Sequence, residues 1–225
     1  MQYYRYDTHV HTNEVSPCGK VPAAEVVRLY HEAGFQGIFI TDHYFNGLTE
    51  KFGIWEEAAE YYLNGYRIAK EEGQKLGMDI ILGMELRFDD SWRDYLIFGI
   101  DEDFVYDNPY LNRYTLASFR EKFRNHNILI FQAHPFRDNL EPADAALLDG
   151  VEVFNGHPRQ ANYNEKAFAY GIENGLYLSA GTDAHRTQDA GRGGILITKR
   201  ISSGQDIVRL YRENYPIDLM LRING

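Results

Sequence analysis

Cysteine is nearly absent from this chain. Its 225 residues contain one, Cys18, which excludes an intramolecular disulfide and any fold stapled by them, and is compatible with a reducing compartment. Positive charge is also in deficit: 23 Lys and Arg stand against 33 Asp and Glu, a formal net charge of -10 at pH 7. A far field of that sign repels phosphates and argues against a module that grips nucleic acid through a basic surface. Bound divalent cations would offset part of it within one cleft, so the acidity does not exclude a metal enzyme acting on phosphates. No run approaches the roughly 18 to 20 apolar residues of a membrane span, and the opening MQYYRYD has no charged segment followed by an apolar one. These absences predict a soluble cytoplasmic protein with no membrane partner. Internal repeats, low-complexity tracts and Pro/Ser-rich linkers are missing too, so a single domain over residues 1–225 is expected.

What is present is an alternation of short apolar runs with longer amphipathic segments, the βαβ signature of a mostly parallel sheet in an α/β fold. The strand candidates are YYRYDTH, GIFITDH, DIILGMEL, DYLIFGI, NILIFQAH, GVEVFNG, LYLSAGTDAH and GILIT. Their near-continuous apolarity suggests burial on both faces. Between them, PAAEVVRLYHEAG begins with Pro22 near its first turn and stops at Gly34, and WEEAAEYYLNGYRIAKEEGQKLG carries Trp55, Ala59, Tyr62, Leu63 and Tyr66 at helical spacing. TLASFREKFRNH, NYNEKAFAYGIENG and SGQDIVRLYREN repeat the pattern behind a polar cap. YFNGLTEKFG reads either as a lid or as an inert connection.

Buried strands have little use for His, Asp and Glu until they emerge at their C-terminal ends, where the loops of an α/β barrel build its site. His9 and His11 close the first run, Asp42 and His43 the second, Glu85 the third, His134 the fifth, Asn155 the sixth, and Asp183 with His185 the seventh. Residues two apart on a strand point to one side, so His9 and His11 can offer ring nitrogens to one ion, and Asp183 with His185 repeats the spacing. Mixed imidazole and carboxylate donors suit Zn, Mn or Fe, whereas thiolate-selective metals are not expected with one cysteine.

DTHVHT, TDH, GMEL, AHP with a following Arg, VEVFNG and GTDAH, in that order over nearly the whole chain, resemble the PHP (polymerase and histidinol phosphatase) family of metal-dependent phosphoesterases. The resemblance implies a distorted (β/α)7 TIM-like barrel with two or three divalent ions at its mouth and GILIT peripheral to it. It implies that His9, His11 and Asp183 hold one ion, that Glu85 bridges to a second which also takes His134, and that His43 and His185 serve a third. Asp7 and Asp42 read as groups orienting imidazoles, or equally as turn carboxylates. This chain departs from the family in two places. A histidine common after the HxH pair is replaced by NEVSPCG, where Glu14 or Cys18 would have to substitute and Cys18 reads more simply as a loop thiol. A histidine common at the end of the fourth strand is missing from DYLIFGI, where Asp94 lies early in the run. His157 reads as a loop residue.

The expected activity is hydrolysis of a small phosphomonoester by a metal-bound hydroxide, with His9, His11, Glu85, Asp183 and His185 as the catalytic apparatus. Arg137 is placed to fork onto the phosphate, a loop salt bridge being its alternative, and Arg186 and Arg192 are further candidates. Rival readings are a nuclease or oligonucleotide phosphodiesterase on the same site, an amidohydrolase-type C–N hydrolase, and a catalytically silent metal-binding barrel. The glutamate from the third strand and the TDH element weigh against the amidohydrolase; the acidic balance weighs mildly against nucleic acid.

Overall fold

The computed structural model of the chain describes residues 2–221. In chain order its elements are β1 (Tyr4–Val10), α1 (Ala23–Glu32), β2 (Gly37–Ile40), β3 (His43–Tyr44), α2 (Asn46–Thr49), α3 (Trp55–Leu76), β4 (Asp79–Leu82), β5 (Met84–Arg87), β6 (Asp94–Phe98), α4 (Glu102–Asp107), α5 (Leu116–Lys122), β7 (Leu129–Gln132), β8 (Gly150–Asn155), α6 (Asn164–Glu173), β9 (Tyr177–Gly181), β10 (Gly193–Ile197), α7 (Gly204–Arg212) and β11 (Asp218–Leu221). Several helices begin or end where the sequence chemistry places them. Pro22 precedes α1, Gly77 closes α3 in the left-handed conformation, and Thr115 and Ser203 cap α5 and α7 through side-chain hydrogen bonds. The polar cap expected on α6 is not formed: Tyr163, itself left-handed, holds that position, and Asn164 instead accepts from the Asn155 backbone.

The strands form two mixed sheets, ordered β11-β10-β1-β2-β4 and β3-β5-β6-β7-β8-β9. Among the described residues five of the nine strand pairings are parallel, the majority expected, and four are antiparallel. β6 runs antiparallel to both β5 and β7, and β10 runs antiparallel to β1 and β11. For β5 and β6 the reason is connectivity: only the segment FDDSWR (88–93) separates them, too little chain for the crossover a parallel pair requires. Two of the expected strands are each split between the sheets, GIFITDH at Thr41–Asp42 and DIILGMEL at Gly83. At Gly83 a side chain would meet Thr41 Cγ2 at 2.8 Å, so the close approach of these two breaks depends on glycine. β1 also meets the segment just after β9, through a bridge between Val10 and Ala184 and a hydrogen bond from Asp183 N to His9 O.

One apolar cluster lies between the strands and the helices α1 and α3, with Val26, Val27, Tyr30, Ala59, Tyr62 and Leu63 fully or almost fully buried. The aromatics at helical spacing are therefore core. At roughly 1.5–3 kcal/mol for each large apolar side chain buried, this layer holds rigid the strand ends that carry the polar residues.

A cluster of imidazoles and carboxylates at the strand ends

His9, His11, Glu85, His134 and Asp183 are all buried, between 0 and 3% exposed, although every one is polar. Buried polar groups on that scale demand partners. His9 Nε2 lies 3.1 Å from His11 Nε2, 3.3 Å from Glu85 Oε1 and 3.5 Å from Asp183 Oδ1, and His11 Nε2 lies 3.1 Å from the same Asp183 oxygen. The other ring nitrogens determine what these contacts are. His9 Nδ1 faces Glu152 Oε1 at 2.9 Å, an acceptor only, so Nδ1 carries the proton. Ser16 Oγ donates to Asp42 Oδ1 at 2.6 Å and so accepts from His11 Nδ1, 3.1 Å away. In the neutral rings both Nε2 atoms are therefore lone pairs, aimed at each other and at two carboxylates. Ring nitrogens and carboxylate oxygens thus converge on one point, an arrangement that could hold a divalent cation with its histidines oriented from behind. Glu85 Oε2, buried, accepts no aligned hydrogen bond, although His43 Nδ1 lies 2.6 Å and His11 Nε2 3.4 Å from it.

Electrostatics sets the charge that this cluster carries. Burial disfavours charge on His9, yet the carboxylates of Glu152, Asp183 and Glu85 outweigh it and hold its pKa well above the ordinary value. His11, buried against His185 and His43, is pushed well below it. Burial opposes ionisation of Asp183 and Glu85 too, but Arg137 and His9 around the first, and His43 and His9 around the second, keep both carboxyls far below the usual range. The carboxylates stay charged and hold one proton where a metal ion would fit.

Three further groups of donor atoms surround this one, each within 4.8 Å: Glu85, Asp94 and His134; His11, His43 and His185; and His157, Asp183 and His185. Two of them change the sequence reading. Because β6 runs antiparallel, its first residue, Asp94, is the one that reaches the strand ends, and it sits 3.9 Å from His134 Nε2 with Arg87 forked onto it at 2.7 and 2.6 Å. The position of Asp94 early in the run counted against it only if the strand was parallel. The loop segment also resolves itself: Glu14 accepts from Ala23 N at the start of α1, while Cys18 Sγ lies 3.2 Å from His43 Nε2 and 2.9 Å from His185 Nε2. Its thiol is raised by burial, but the two imidazoles outweigh this and bring it down to about 6. His157, expected in a loop, is half-buried with Nδ1 3.1 Å from Asp183 O.

The flanking aspartates divide. Asp42 binds Thr12 N, Thr12 Oγ1 and Ser16 Oγ at 2.6–2.7 Å and so orients His11 through the serine. Asp7 contacts no imidazole; it accepts from the backbone of His9 and Thr182 and from Tyr30 OH, tying β1 to the segment after β9. Burial pushes both carboxyls up to about 6 despite the hydrogen bonds they accept.

Glu152 was not singled out by sequence reasoning, yet it is 1% exposed, holds His9, and accepts from His134 N and Asn155 Nδ2. A bulge between Glu152 and Phe154 sets an extra residue in β8 against β9, so Glu152 and Asn155, three apart, reach one side. The signal available was a lone carboxylate inside the apolar run VEVF. Local backbone strain marks the same place: His134 and Asp183 have φ of 28° and 51°, in the left-handed region that non-glycine residues avoid. Gly181 allows the approach of β9, since a Cβ there would lie 2.5 Å from His9 Cβ.

Arg137, expected to fork onto a phosphate, binds Asp183 Oδ2 at 2.6 Å, Asn155 Oδ1 at 2.9 Å and Asn162 Oδ1 at 2.8 Å. The salt-bridge alternative is the one observed here. Over the cluster lies a cavity of about 620 Å³ lined by Cys18, His43, Asp94, His134, Asp183 and His185 together with Arg87, Arg137, Arg159, Arg186 and Trp92. Arg186 thus lies at the cavity, while Arg192 lines a neighbouring one of about 690 Å³. YFNGLTEKFG contains the short helix α2, and Phe45 of this segment stands edge-on to the His43 ring.

The family model of the PHP domain matches residues 7–215. No curated protein matches the chain. Among solved structures, a two-domain protein from Bacteroides vulgatus containing a predicted PHP-like metal-dependent phosphoesterase is similar over 98% of this chain, with 17% identity and a TM-score of 0.69; the chain spans 65% of its length. PsfC from Pseudomonas syringae is 16% identical with a TM-score of 0.68, over 98% of this chain and 92% of that one. A lesion-specific endonuclease from Pyrococcus furiosus is 15% identical with a TM-score of 0.60, over 98% of this chain and 58% of the enzyme.

Proposed function

Since the chain belongs to the PHP domain family over residues 7–215, we propose that it is a metal-dependent phosphoesterase, a single domain whose most favoured substrate is a small phosphomonoester. The observation that carries this reading is the convergence of His9 Nε2, His11 Nε2, Glu85 and Asp183 Oδ1 on one buried point. In this reading β1, β2–β3, β4–β5, β6, β7, β8 and β9 are the seven staves of a distorted barrel, with the Val10–Ala184 contact joining the last to the first. β10 and β11 stand outside it.

The residues fit a resident ion, and three groups follow from the geometry. His9, His11 and Asp183 would hold one ion, Glu85, Asp94 and His134 a second, and His43 with His185 a third. When bound, Zn, Mn or Fe ions supply Lewis-acid neutralisation of phosphoryl oxygens and an acidified water. The chain's own residues do the rest. Glu152 and Ser16 hold the imidazoles of His9 and His11 in one tautomer and one orientation, so no reorganisation accompanies the reaction. Arg137 fixes Asp183 through one edge of its guanidinium and lines the cavity with the remainder. Arg186 also lines the cavity, where its charge attracts a phosphate despite the acidic whole. A volume of about 620 Å³ suits a small phosphorylated molecule.

A second reading has one observation behind it. Trp92, 77% exposed, lines the same cavity with Arg87 over its ring at 5.9 Å, a face on which a nucleobase can stack. That favours the end of a nucleic-acid strand as substrate over an internal site, because the net charge of -10 opposes a long polyanion.

The test is hydrolysis by the metal-reconstituted protein of p-nitrophenyl phosphate, bis(p-nitrophenyl) phosphate and a short oligonucleotide. Cleavage of the monoester, lost in Asp183→Ala and His9→Ala with the circular dichroism spectrum unchanged, is the expected result. Exclusive cleavage of the oligonucleotide transfers the assignment to the second reading. Turnover of the monoester by Asp183→Ala at the wild-type rate overturns the site.

A further inference from the structure

The single cysteine lies at the one donor group that the carboxylates do not complete. Cys18 Sγ is 3.2 Å from His43 Nε2 and 2.9 Å from His185 Nε2, and the His11 ring packs against both imidazoles with centroids 4.4 and 4.3 Å away. Each imidazole is fixed from behind. His185 Nδ1 donates to Asp183 O at 2.8 Å. His43 Nδ1 lies 2.6 Å from a Glu85 carboxylate oxygen. Both rings thus turn Nε2 toward one sulfur, and a thiolate with two imidazole nitrogens is a donor set that one tetrahedral cation could share.

The loop is built to keep the sulfur there. Lys20 N donates to His185 O at 2.8 Å, Gly19 N to Ser16 O at 3.0 Å, and a Cβ on Gly19 would lie 2.5 Å from Thr12 O. The turn thus closes tightly only with glycine next to Cys18. In a tetrahedral zinc site with Zn–S about 2.3 Å and Zn–N about 2.0–2.1 Å, sulfur and nitrogen stand about 3.6 Å apart. The present separations of 3.2 and 2.9 Å are shorter than this by about 0.4 and about 0.7 Å, within reach of a side-chain rotation at an exposed loop residue.

We propose that Cys18 is a thiolate ligand which, with His43 Nε2 and His185 Nε2, makes the outermost ion position of this site selective for a thiophilic metal, Zn(II) over Mn(II) or Mg(II). The inference rests on the metal-centre reading above, to which it adds an unlike donor. Imidazole and carboxylate leave the inner positions open to several first-row metals, whereas a thiolate narrows the choice at the third. Binding there replaces the S–H proton with the ion and releases it to solvent.

Cobalt(II), titrated anaerobically into the metal-free full chain, tests this by spectroscopy without turnover. The wild-type protein is expected to develop visible d–d bands together with a near-ultraviolet thiolate-to-cobalt charge-transfer band. Cys18→Ser is expected to keep visible bands from the inner positions, lose the charge-transfer band and bind one equivalent fewer. Cys18→His is expected to regain that equivalent without the charge-transfer band, and to lower the preference for Zn(II) over Mn(II) at that position at least tenfold. Visible bands with no charge-transfer band in the wild type overturn the role of Cys18 and leave the metal centre standing. No cobalt binding at all overturns both.

Discussion

At the scale of single residues, the account depends on which ring nitrogen carries a proton. In the proposed centre His9 and His11 would serve as ligands because Glu152 and Ser16 accept from their Nδ1 atoms and leave both Nε2 atoms to face the ion. Removing the charge behind one ring is therefore the sharpest perturbation available outside the ligands themselves. Glu152→Gln keeps the shape, but its amide can present a donor to His9 and weakens the polarisation of the ring. Metal affinity measured by competition with a chromogenic chelator is expected to fall roughly 10–100-fold, with little change in the far-ultraviolet spectrum. An unchanged affinity would mean that Glu152 serves only to satisfy a buried nitrogen. The ligand histidines were readable from sequence because each closes an apolar run, a place where an unpaired imidazole has no structural use. Glu152 was not readable, since the bulge that turns it toward His9 leaves no mark in a pattern of alternating residues.

At the scale of elements, strand direction settled what residue order could not. A parallel β6 would have carried Asp94 to the far end of the strand from the histidines; the antiparallel β6 carries it beside His134. Helix limits were more legible, because capping is local chemistry. α7 begins at Ser203, which accepts from Asp206 N while the Asp206 carboxylate accepts from Ser202 N, Ser203 N and Ser203 Oγ. Ser203→Ala is expected to cost about 1 kcal/mol in denaturant unfolding. Desolvation raises the pKa of Asp206, but these donors and Arg209 outweigh it and hold the carboxyl below its ordinary value. A depressed carboxylate contributes stability above its unfolded pKa of about 3.9, and that contribution is lost as pH falls through the folded value. Asp206→Asn is thus expected to lower stability at neutral pH and to flatten the acid limb of the stability curve. An acid limb parallel to that of the wild type would show the carboxylate to be energetically idle.

For the whole molecule, a cluster of buried carboxylates and imidazoles drawn from β1, β3, β5, β6 and the segments after β7 and β9 is costly to assemble without a cation. An ion that binds the folded chain and not the unfolded one stabilises it by about 4 kcal/mol when present at 1,000 times its Kd. For a chain of this length that corresponds to a rise in Tm of roughly 10 °C. Saturating Zn(II) or Mn(II) added to chelator-stripped protein is expected to produce a shift of that order, reversed by chelator; His9→Ala is expected to abolish most of it. The order of motifs along the chain pointed to this convergence before any coordinates, because five separate segments each place an imidazole or carboxylate at a strand end. The two mixed sheets and the place of Cys18 depend on the route of the backbone in space, which no local pattern encodes.

The most direct test of the central claim is anomalous diffraction from crystals of the chain grown with Zn(II) and recorded on both sides of the zinc absorption edge. The account predicts a peak about 2.0–2.2 Å from His9 Nε2, His11 Nε2 and Asp183 Oδ1 at once. Those three atoms remaining in direct contact with one another, with no peak between them at saturating metal, would contradict it.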